Sequence, residues 1–171
     1  MTDRVQILVT ALVGVGVLSL TLGSSWLPLF LWNASASVPV GLYRLQVTRE
    51  RYVTELGAVM PPEPLATFLV DGNYLPPGVP MLKHVVALPG QTVCREGLTL
   101  LVDEIAMGMA RERDGRGRPL PIWKGCRVIA QGELFLMNWQ SADSLDGRYF
   151  GPIPASAVIG RAHPVWIEKE D

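Results

Sequence analysis

The chain has 171 residues, a formal net charge of −1 and 18% charged residues, whereas 49% of its residues are hydrophobic. This charge balance gives no basic surface for nucleic acid, so we expect no nucleic-acid partner. Two cysteines and two histidines, widely spaced, are too few for a Cys/His zinc site, and we expect no metal and no cofactor. The length suits one membrane anchor and one modest domain.

The first predicted element is a membrane-spanning helix. Residues 5–43 contain no Asp, Glu, Lys or Arg, and residues 5–22 are apolar on every face. A hydrocarbon core of about 30 Å requires roughly 20 such residues at helical rise. We therefore predict a helix from about Val5 to Gly23, within an anchor that comprises residues 1–32.

Two alternatives remain open for this segment. It could be a buried core helix, although its length and evenness fit lipid better. It could also be a cleaved signal peptide, because Ala34-Ser35-Ala36 has the small-x-small form of a cleavage site. The apolar segment is longer than the roughly 7–15 residues typical of a signal peptide, which favours an uncleaved anchor.

The composition and hydrophobic pattern of residues 33–171 predict a mainly β domain. Fourteen prolines and seventeen glycines favour short strands and turns over long helices. Strands are predicted at residues 41–47, 81–88, 91–94, 98–107, 134–137 and 158–167, with a further short strand at 65–70. The remaining segments are expected to be irregular: residues 49–65, a charged and flexible loop at 111–121, and turns over most of 138–158.

The candidate nucleophile is Ser37, which closely follows the apolar segment. A serine hydroxyl is a poor nucleophile until a base takes its proton. Histidine is one candidate base: His163 lies in the last predicted strand, and Asp143 and Asp146 are near it in sequence. A Ser-His-Asp triad is therefore one possible arrangement.

Lysine is the other candidate base. The chain has three lysines, of which only Lys83 lies within an apolar strand. An edge-strand charge or a side chain that extends to solvent is the ordinary interpretation of such a lysine. Burial would instead disfavour the ammonium form: lowering the pKa from about 10.4 to about 7 corresponds to roughly 4.6 kcal/mol. A neutral amine could then act as a general base.

Three segments carry a family resemblance. They are SVPVGLY at residues 37–43, MLKHVVALPG at 81–90, and SLDGRYFGP at 144–152 followed by IGRA at 159–162. Together, and in this order after an apolar segment, they resemble the serine/lysine signal peptidases, in detail their conjugal-transfer (TraF-type) branch. One residue separates Ser37 from Pro39, as in that branch, whereas general signal peptidases have two.

The resemblance implies a fold, a site and a substrate. The fold would be a signal-peptidase-like β-domain after one N-terminal transmembrane helix, in the bacterial inner membrane with the catalytic domain in the periplasm. Ser37 would be the nucleophile and Lys83 the general base. The implied supporting residues are Ser35 at the oxyanion, Ser144 beside the lysine, and Asp146 with Arg148 in the loop. The partners would be the bilayer and a membrane-embedded precursor, above all a conjugative pilin subunit that is cut or cyclised head to tail.

Two other functions stay open from sequence. One is a general type I signal peptidase that removes leader peptides, and the other is an inactive anchored scaffold of a transfer or secretion complex. In the periplasm Cys94 and Cys126 could form a disulfide that closes residues 95–125, with two separate thiols as the alternative.

Overall fold

The computed structural model describes residues 2–22, 29–48 and 50–168, and within the first helix it describes the side chains of residues 5–16. The helices are α1 (Thr2–Leu22), α2 (Leu65–Asp71) and α3 (Gly147–Phe150). The strands are β1 (Phe30–Asn33), β2 (Gly41–Gln46), β3 (Leu56–Val59), β4 (Met81–Ala87), β5 (Thr92–Glu96), β6 (Thr99–Val102), β7 (Ile105–Met109), β8 (Gly125–Val128), β9 (Glu133–Leu136), β10 (Ile153–Pro154) and β11 (Val158–Ile167).

The predicted N-terminal helix is present as α1. Its described large apolar side chains, among them Ile7, Leu12 and Val13, are all exposed, so the alternative of a buried core helix is wrong. Over the residues that the structure describes, no helix is both long and apolar enough to cross a membrane. Gly23, where the prediction ends the helix, lies outside the described residues.

The strands form two antiparallel sheets, which confirms the mainly β class. The larger sheet has seven strands in the order β1-β2-β11-β3-β4-β9-β10, and the smaller has four in the order β7-β6-β5-β8. A buried apolar cluster that includes Val93, Leu100, Phe135 and Tyr149 joins strands of both sheets to α3. The two sheets therefore share one core, and the loops around β4 and β9 are fixed against it.

One predicted strand is a helix. Residues 65–70, expected to be extended, lie in α2. Leu65 and Leu69, four positions apart, are buried on one face of this helix, while Phe68 stacks against Tyr74 with ring centroids 5.6 Å apart. A four-residue spacing of buried leucines is typical of a helix, and the short length of the segment concealed that period.

The region from residue 98 to 121 also differs from its prediction. The single expected strand at 98–107 is a hairpin of β6 and β7, because Asp103 and Glu104 adopt φ values of +47° and +69° in a two-residue turn. The 111–121 loop is held in place by Asp114, which accepts hydrogen bonds from the Tyr74 hydroxyl at 2.6 Å and from two backbone N–H groups of the loop. That loop is therefore attached to the end of α2.

Candidate active site

Ser37 lies in the turn between β1 and β2, and the side chain of Asn33 organises that turn. The Asn33 amide nitrogen donates to the carbonyl oxygens of Ser35, Val38 and Pro39 at 2.8, 3.0 and 3.1 Å. Its amide oxygen accepts from the backbone N–H and the hydroxyl of Ser35 at 3.2 and 3.0 Å. One buried side chain thus fixes both ends of the segment that carries Ser37. The sequence reasoning did not identify Asn33, although an Asn that ends a strand before a short polar loop is a recognised turn signal.

The two serines of this turn are adjacent in space. Ser35 Oγ and Ser37 Oγ are 3.3 Å apart, and either atom could be the donor. The Tyr43 hydroxyl donates to the Pro39 carbonyl at 2.6 Å and fixes the start of β2 against the turn. Three backbone carbonyls of the turn therefore accept hydrogen bonds from the side chains of Asn33 and Tyr43.

Lys83 lies in the middle of the larger sheet. Its strand, β4, pairs with β3 on one side and β9 on the other, so the interpretation as an edge-strand charge is wrong. The side chain is 5% exposed, and Nζ donates to Ser144 Oγ at 2.7 Å. Burial lowers the pKa of Lys83 from 10.5 to about 8, with a smaller opposing effect from the Asp146 carboxylate and a further lowering by Arg148.

Ser35, Ser37, Lys83 and Ser144 line one cleft of about 490 Å³, whose other lining residues are mostly apolar. Ser37 has its side-chain contact with Ser35, and Lys83 has its contact with Ser144. Among the hydrogen bonds of the described residues, none joins Ser37 to Lys83. The cleft therefore presents a hydroxyl and a buried amine to the same space, each oriented by another serine.

The position of Ser144 depends on a buried ion pair. Arg148 donates through Nε and Nη2 to the two carboxylate oxygens of Asp146, both at 2.9 Å, and the side chains are 2% and 0% exposed. Arg148 Nη2 also donates to the carbonyl oxygens of Ser141 and Ser144 at 2.6 and 3.1 Å. The pair is internal rather than a surface salt bridge, and it holds the backbone on which Ser144 stands.

Asn138 connects this loop to the lysine strand, and sequence reasoning missed it. Its amide nitrogen donates to the Leu82 carbonyl at 3.0 Å, and its amide oxygen accepts from the His84 backbone N–H at 3.1 Å. Its own backbone N–H donates to Asp146 Oδ2 at 3.0 Å. The side chain therefore bonds the residues on both sides of Lys83 and sets the register between the lysine and the Ser144 loop.

The two histidines lie elsewhere. The ring of His84 is 3.0 Å from Asn138 Oδ1, and burial lowers the pKa of this histidine. His163 is exposed, and its Nε2 contacts the side chain of Gln46 at 3.2 Å. Because His163 is not among the residues of the Ser37 cleft, the structure does not bring a Ser-His-Asp triad together.

Cys94 and Cys126 are opposite each other in β5 and β8 and are joined in a disulfide, with their Cα atoms 4.0 Å apart. The alternative of two separate thiols therefore does not hold. The bond secures the edge strand of the smaller sheet, and neither cysteine lines the cleft.

Comparison with known proteins identifies the family. The sequence matches the family described as signal peptidase, peptidase S26, over residues 1–167. The chain belongs to this peptidase family. It is 32% identical over 155 residues to the probable conjugal transfer protein TraF of Sinorhizobium fredii, covering 85% of this chain and 81% of that protein.

Further relatives carry similar names. The chain is 34% identical over 145 residues to the conjugal transfer protein TraF of Agrobacterium fabrum, with 78% of this chain and 80% of that protein covered. It is 29% identical over 167 residues to the plasmid transfer protein TraF of Escherichia coli, with 90% and 92% covered. These matches confirm the resemblance to the TraF-type branch. Among solved structures, a signal peptidase I from Enterococcus faecalis matches with a TM-score of 0.40 and 15% identity, over 67% of this chain and 98% of that one.

Proposed function

We propose that the protein is a serine endopeptidase with Ser37 as the nucleophile and Lys83 as the general base. The observation that carries the proposal is the buried amine of Lys83, with its pKa lowered to about 8, in the same cleft as Ser37. At a pH near 8 about half of such amines are neutral and can accept a proton, whereas an exposed lysine is almost wholly protonated.

In the proposed mechanism, the hydrogen bond to Ser144 orients the lysine. A neutral amine keeps N–H donors for Ser144 Oγ and directs its lone pair elsewhere in the cleft. Ser37 Oγ transfers its proton to Nζ as it attacks the scissile carbonyl, and the protonated Lys83 then gives that proton to the leaving amine. The acyl-enzyme is released when a second nucleophile attacks, again with Lys83 as the base.

Ser35 is proposed to support the oxyanion. Its hydroxyl lies 3.3 Å from Ser37 Oγ, close to where the tetrahedral intermediate would form. Together with the backbone N–H of Ser37 it would provide two donors, and loss of one such donor costs roughly 3–4 kcal/mol in the transition state. In the absence of substrate the Ser35 hydroxyl donates to Asn33, so it would have to turn towards the intermediate.

The proposed substrate is an exported precursor in plasmid transfer, above all a conjugative pilin subunit. The proposal is supported by the names of the relatives, which are conjugal and plasmid transfer proteins. The second nucleophile can be water, which gives a linear product, or the amino terminus of the same substrate, which gives a cyclic one. Intact-mass measurement on a co-expressed precursor separates the two, because hydrolysis adds one water and cyclisation adds none.

We further propose the bacterial inner membrane as the location, with the catalytic domain in the periplasm and the apolar N-terminal segment as the anchor. The predicted anchor bound at residue 32 is too long, because Phe30–Asn33 form β1 and pair with β2 in the sheet of the domain. Two observations support the proposed location. The described apolar side chains of α1 are exposed all round the helix, and the domain contains a disulfide, which persists in oxidising compartments. Cell fractionation with protease accessibility tests it: residues 40–171 protected in the cytoplasm would rule the placement out.

Two rival functions make different predictions. A general type I signal peptidase would cleave many unrelated leader peptides, whereas the proposed enzyme would process one precursor class. An inactive scaffold would leave processing unchanged when its serine and lysine are replaced. The test is processing of the co-expressed precursor by Ser37→Ala and Lys83→Arg, with Lys124→Arg as the matched control because Lys124 is exposed. We expect no product from the first two variants and full processing by the control. Unchanged processing by all three would favour the scaffold.

A further inference from the structure

A second cavity adjoins the catalytic cleft on the side of the 111–121 loop. Its volume is about 480 Å³, and it shares Tyr74, Asp143 and Leu145 with the cleft. The arginines that line it are Arg111, Arg116 and Arg118. The two cavities are therefore adjacent. The cleft is mostly apolar, whereas the second cavity is lined by three arginines and by the carboxylates of Asp114 and Asp143.

One of these arginines is part of the framework. Arg118 donates through Nε to Asp114 at 2.7 Å and through Nη1 to the Gly72 carbonyl at 2.7 Å, and its guanidinium lies over the Tyr74 ring at 4.3 Å. Hydrogen bonds, first that from Tyr74, lower the pKa of Asp114, so this carboxylate remains ionised opposite Arg118. The charges of this pair compensate each other.

The other two arginines are available to a ligand. The guanidinium of Arg116 forms no hydrogen bond or ion pair with any residue that the structure describes, and only its backbone N–H is used, by Asp114. Arg111 pairs with Asp143 across the rim, but these side chains are 47% and 75% exposed. An exposed ion pair contributes little to stability, so an anion could replace Asp143 at Arg111 without a large cost.

We propose that this cavity binds a carboxylate of the peptide substrate, with Arg116 as its main contact and Arg111 as a second. The substrate would have an apolar segment in the cleft of Ser37 and an acidic group a short distance along the chain. That group is either an Asp or Glu side chain or a C-terminal carboxylate, and guanidinium recognises both through the same paired hydrogen bonds. The inference rests on the proposed function, because it takes the cleft as the site of the peptide.

The test measures binding without cleavage. The full-length Ser37→Ala protein in detergent is titrated into three sets of fluorescein-labelled octapeptides of alanine and leucine, and fluorescence anisotropy is recorded. The first set carries one glutamine and an amidated C-terminus, the second has glutamate in place of glutamine, and the third keeps glutamine but has a free C-terminal carboxylate. In each set the position of the glutamine or glutamate is varied along the peptide. The glutamate carboxylate of the second set can then reach the cavity in some of its members.

We expect the best acidic peptides to bind about 3- to 10-fold more tightly than their amide counterparts at low salt, and the preference to disappear at about 0.5 M NaCl. Arg116→Ala should abolish the preference. Arg113→Ala should retain it, because Arg113 lies in the same loop, bonds the Gly117 carbonyl and does not line the cavity. Asp143→Asn should strengthen binding of the acidic peptides about 2- to 5-fold by releasing Arg111. If Arg116 and Asp143 only supported the fold, their substitutions would not change the binding of acidic peptides in opposite directions.

Equal binding of all three sets, or a preference that survives Arg116→Ala, would overturn the proposal. Whether the second or the third set is preferred distinguishes a side-chain carboxylate from a chain terminus. Cleavage of the same peptides by the unmodified protein is measured separately. Cleavage without an acidic preference would refute the carboxylate site and leave the peptidase function intact. An acidic preference that depends on Arg116, without cleavage of any peptide, would support the site and count against the peptidase.

Discussion

The burial of Lys83 should make the protein less stable than it would be with an apolar side chain at this position. The pKa is 10.5 for an exposed lysine and about 8 in the folded protein, and at about 1.36 kcal/mol for each tenfold change in proton affinity the difference corresponds to about 3 kcal/mol. Below pH 8 Lys83 is buried in its charged ammonium form in the folded protein. The full cost of about 3 kcal/mol is then subtracted from the free energy of unfolding. Lys83→Met removes the ionisation and keeps a side chain of similar shape.

The sign of the pH dependence follows from proton counting. Because the pKa in the folded state is below that in the unfolded state, the unfolded chain binds more protons between about pH 8 and 10.5. The free energy of unfolding of the parent protein should therefore rise with pH through this window, relative to Lys83→Met. The difference in the free energy of unfolding between the parent and Lys83→Met should be constant below pH 8. By pH 11 it should have shifted by about 3 kcal/mol in favour of the parent.

Urea unfolding of both proteins at several pH values measures this difference. The substitution also removes the hydrogen bond to Ser144 and changes the packing, but these effects change the free energy of unfolding by an amount that does not depend on pH. The pH-dependent part of the difference in this free energy therefore reports the ionisation of Lys83 alone. Lys124→Met is the control, because this lysine is exposed and does not line the cleft. A difference between parent and Lys83→Met that stays flat from pH 7 to 11 would refute the assignment of a lowered pKa.

Four further outcomes are expected. The kcat/KM for peptide cleavage should rise with pH with a midpoint at about 8, since only the neutral form of Lys83 can take a proton, and a stopped assay over pH 6–10 measures it. Ser144→Ala removes an acceptor from the ammonium, so the midpoint should move to lower pH while kcat falls, and Ser144→Thr should restore both. Arg148→Met leaves the Asp146 carboxylate buried and unpaired, which should cost about 3–5 kcal/mol in urea unfolding, with less loss when Asp146→Asn is combined with it. Asn33→Asp turns a carboxylate oxygen towards three carbonyls and should cost about 2–3 kcal/mol more than a like change at an exposed asparagine, by thermal unfolding.

The sequence identified the residues of the cleft through their motifs and the strand pattern around them. Lys83 stood out because it is the only lysine in an apolar strand, and Ser37 because it follows the apolar N-terminal segment. Their environments were not predictable in the same way. The contact between Lys83 and Ser144 spans 61 positions in sequence, and it depends on the pairing of β4 with β9, which no local pattern reports.

The residues that hold the site together have weaker signals in the sequence. Asn33 and Asn138 each make several hydrogen bonds to backbone groups, and such bonds depend on where the chain turns in space rather than on residue spacing. The histidine alternative fails because His163 lies beside Gln46 and outside the cleft, a position that residue spacing does not predict. The helix at residues 65–71 was missed because two buried leucines in so short a segment do not establish a period.

We propose that a neutral Lys83 activates Ser37, and trapping the acyl-enzyme tests this activation. The purified full-length protein is treated with an activated peptide ester across pH 6–10, and the adduct is located by peptide mapping and mass spectrometry. The proposed activation predicts one adduct on Ser37, whose rate of formation rises with pH with a midpoint at about 8. No adduct should form in Lys83→Arg. An adduct on another residue, or one that forms on Ser37 equally fast in Lys83→Arg, would contradict it.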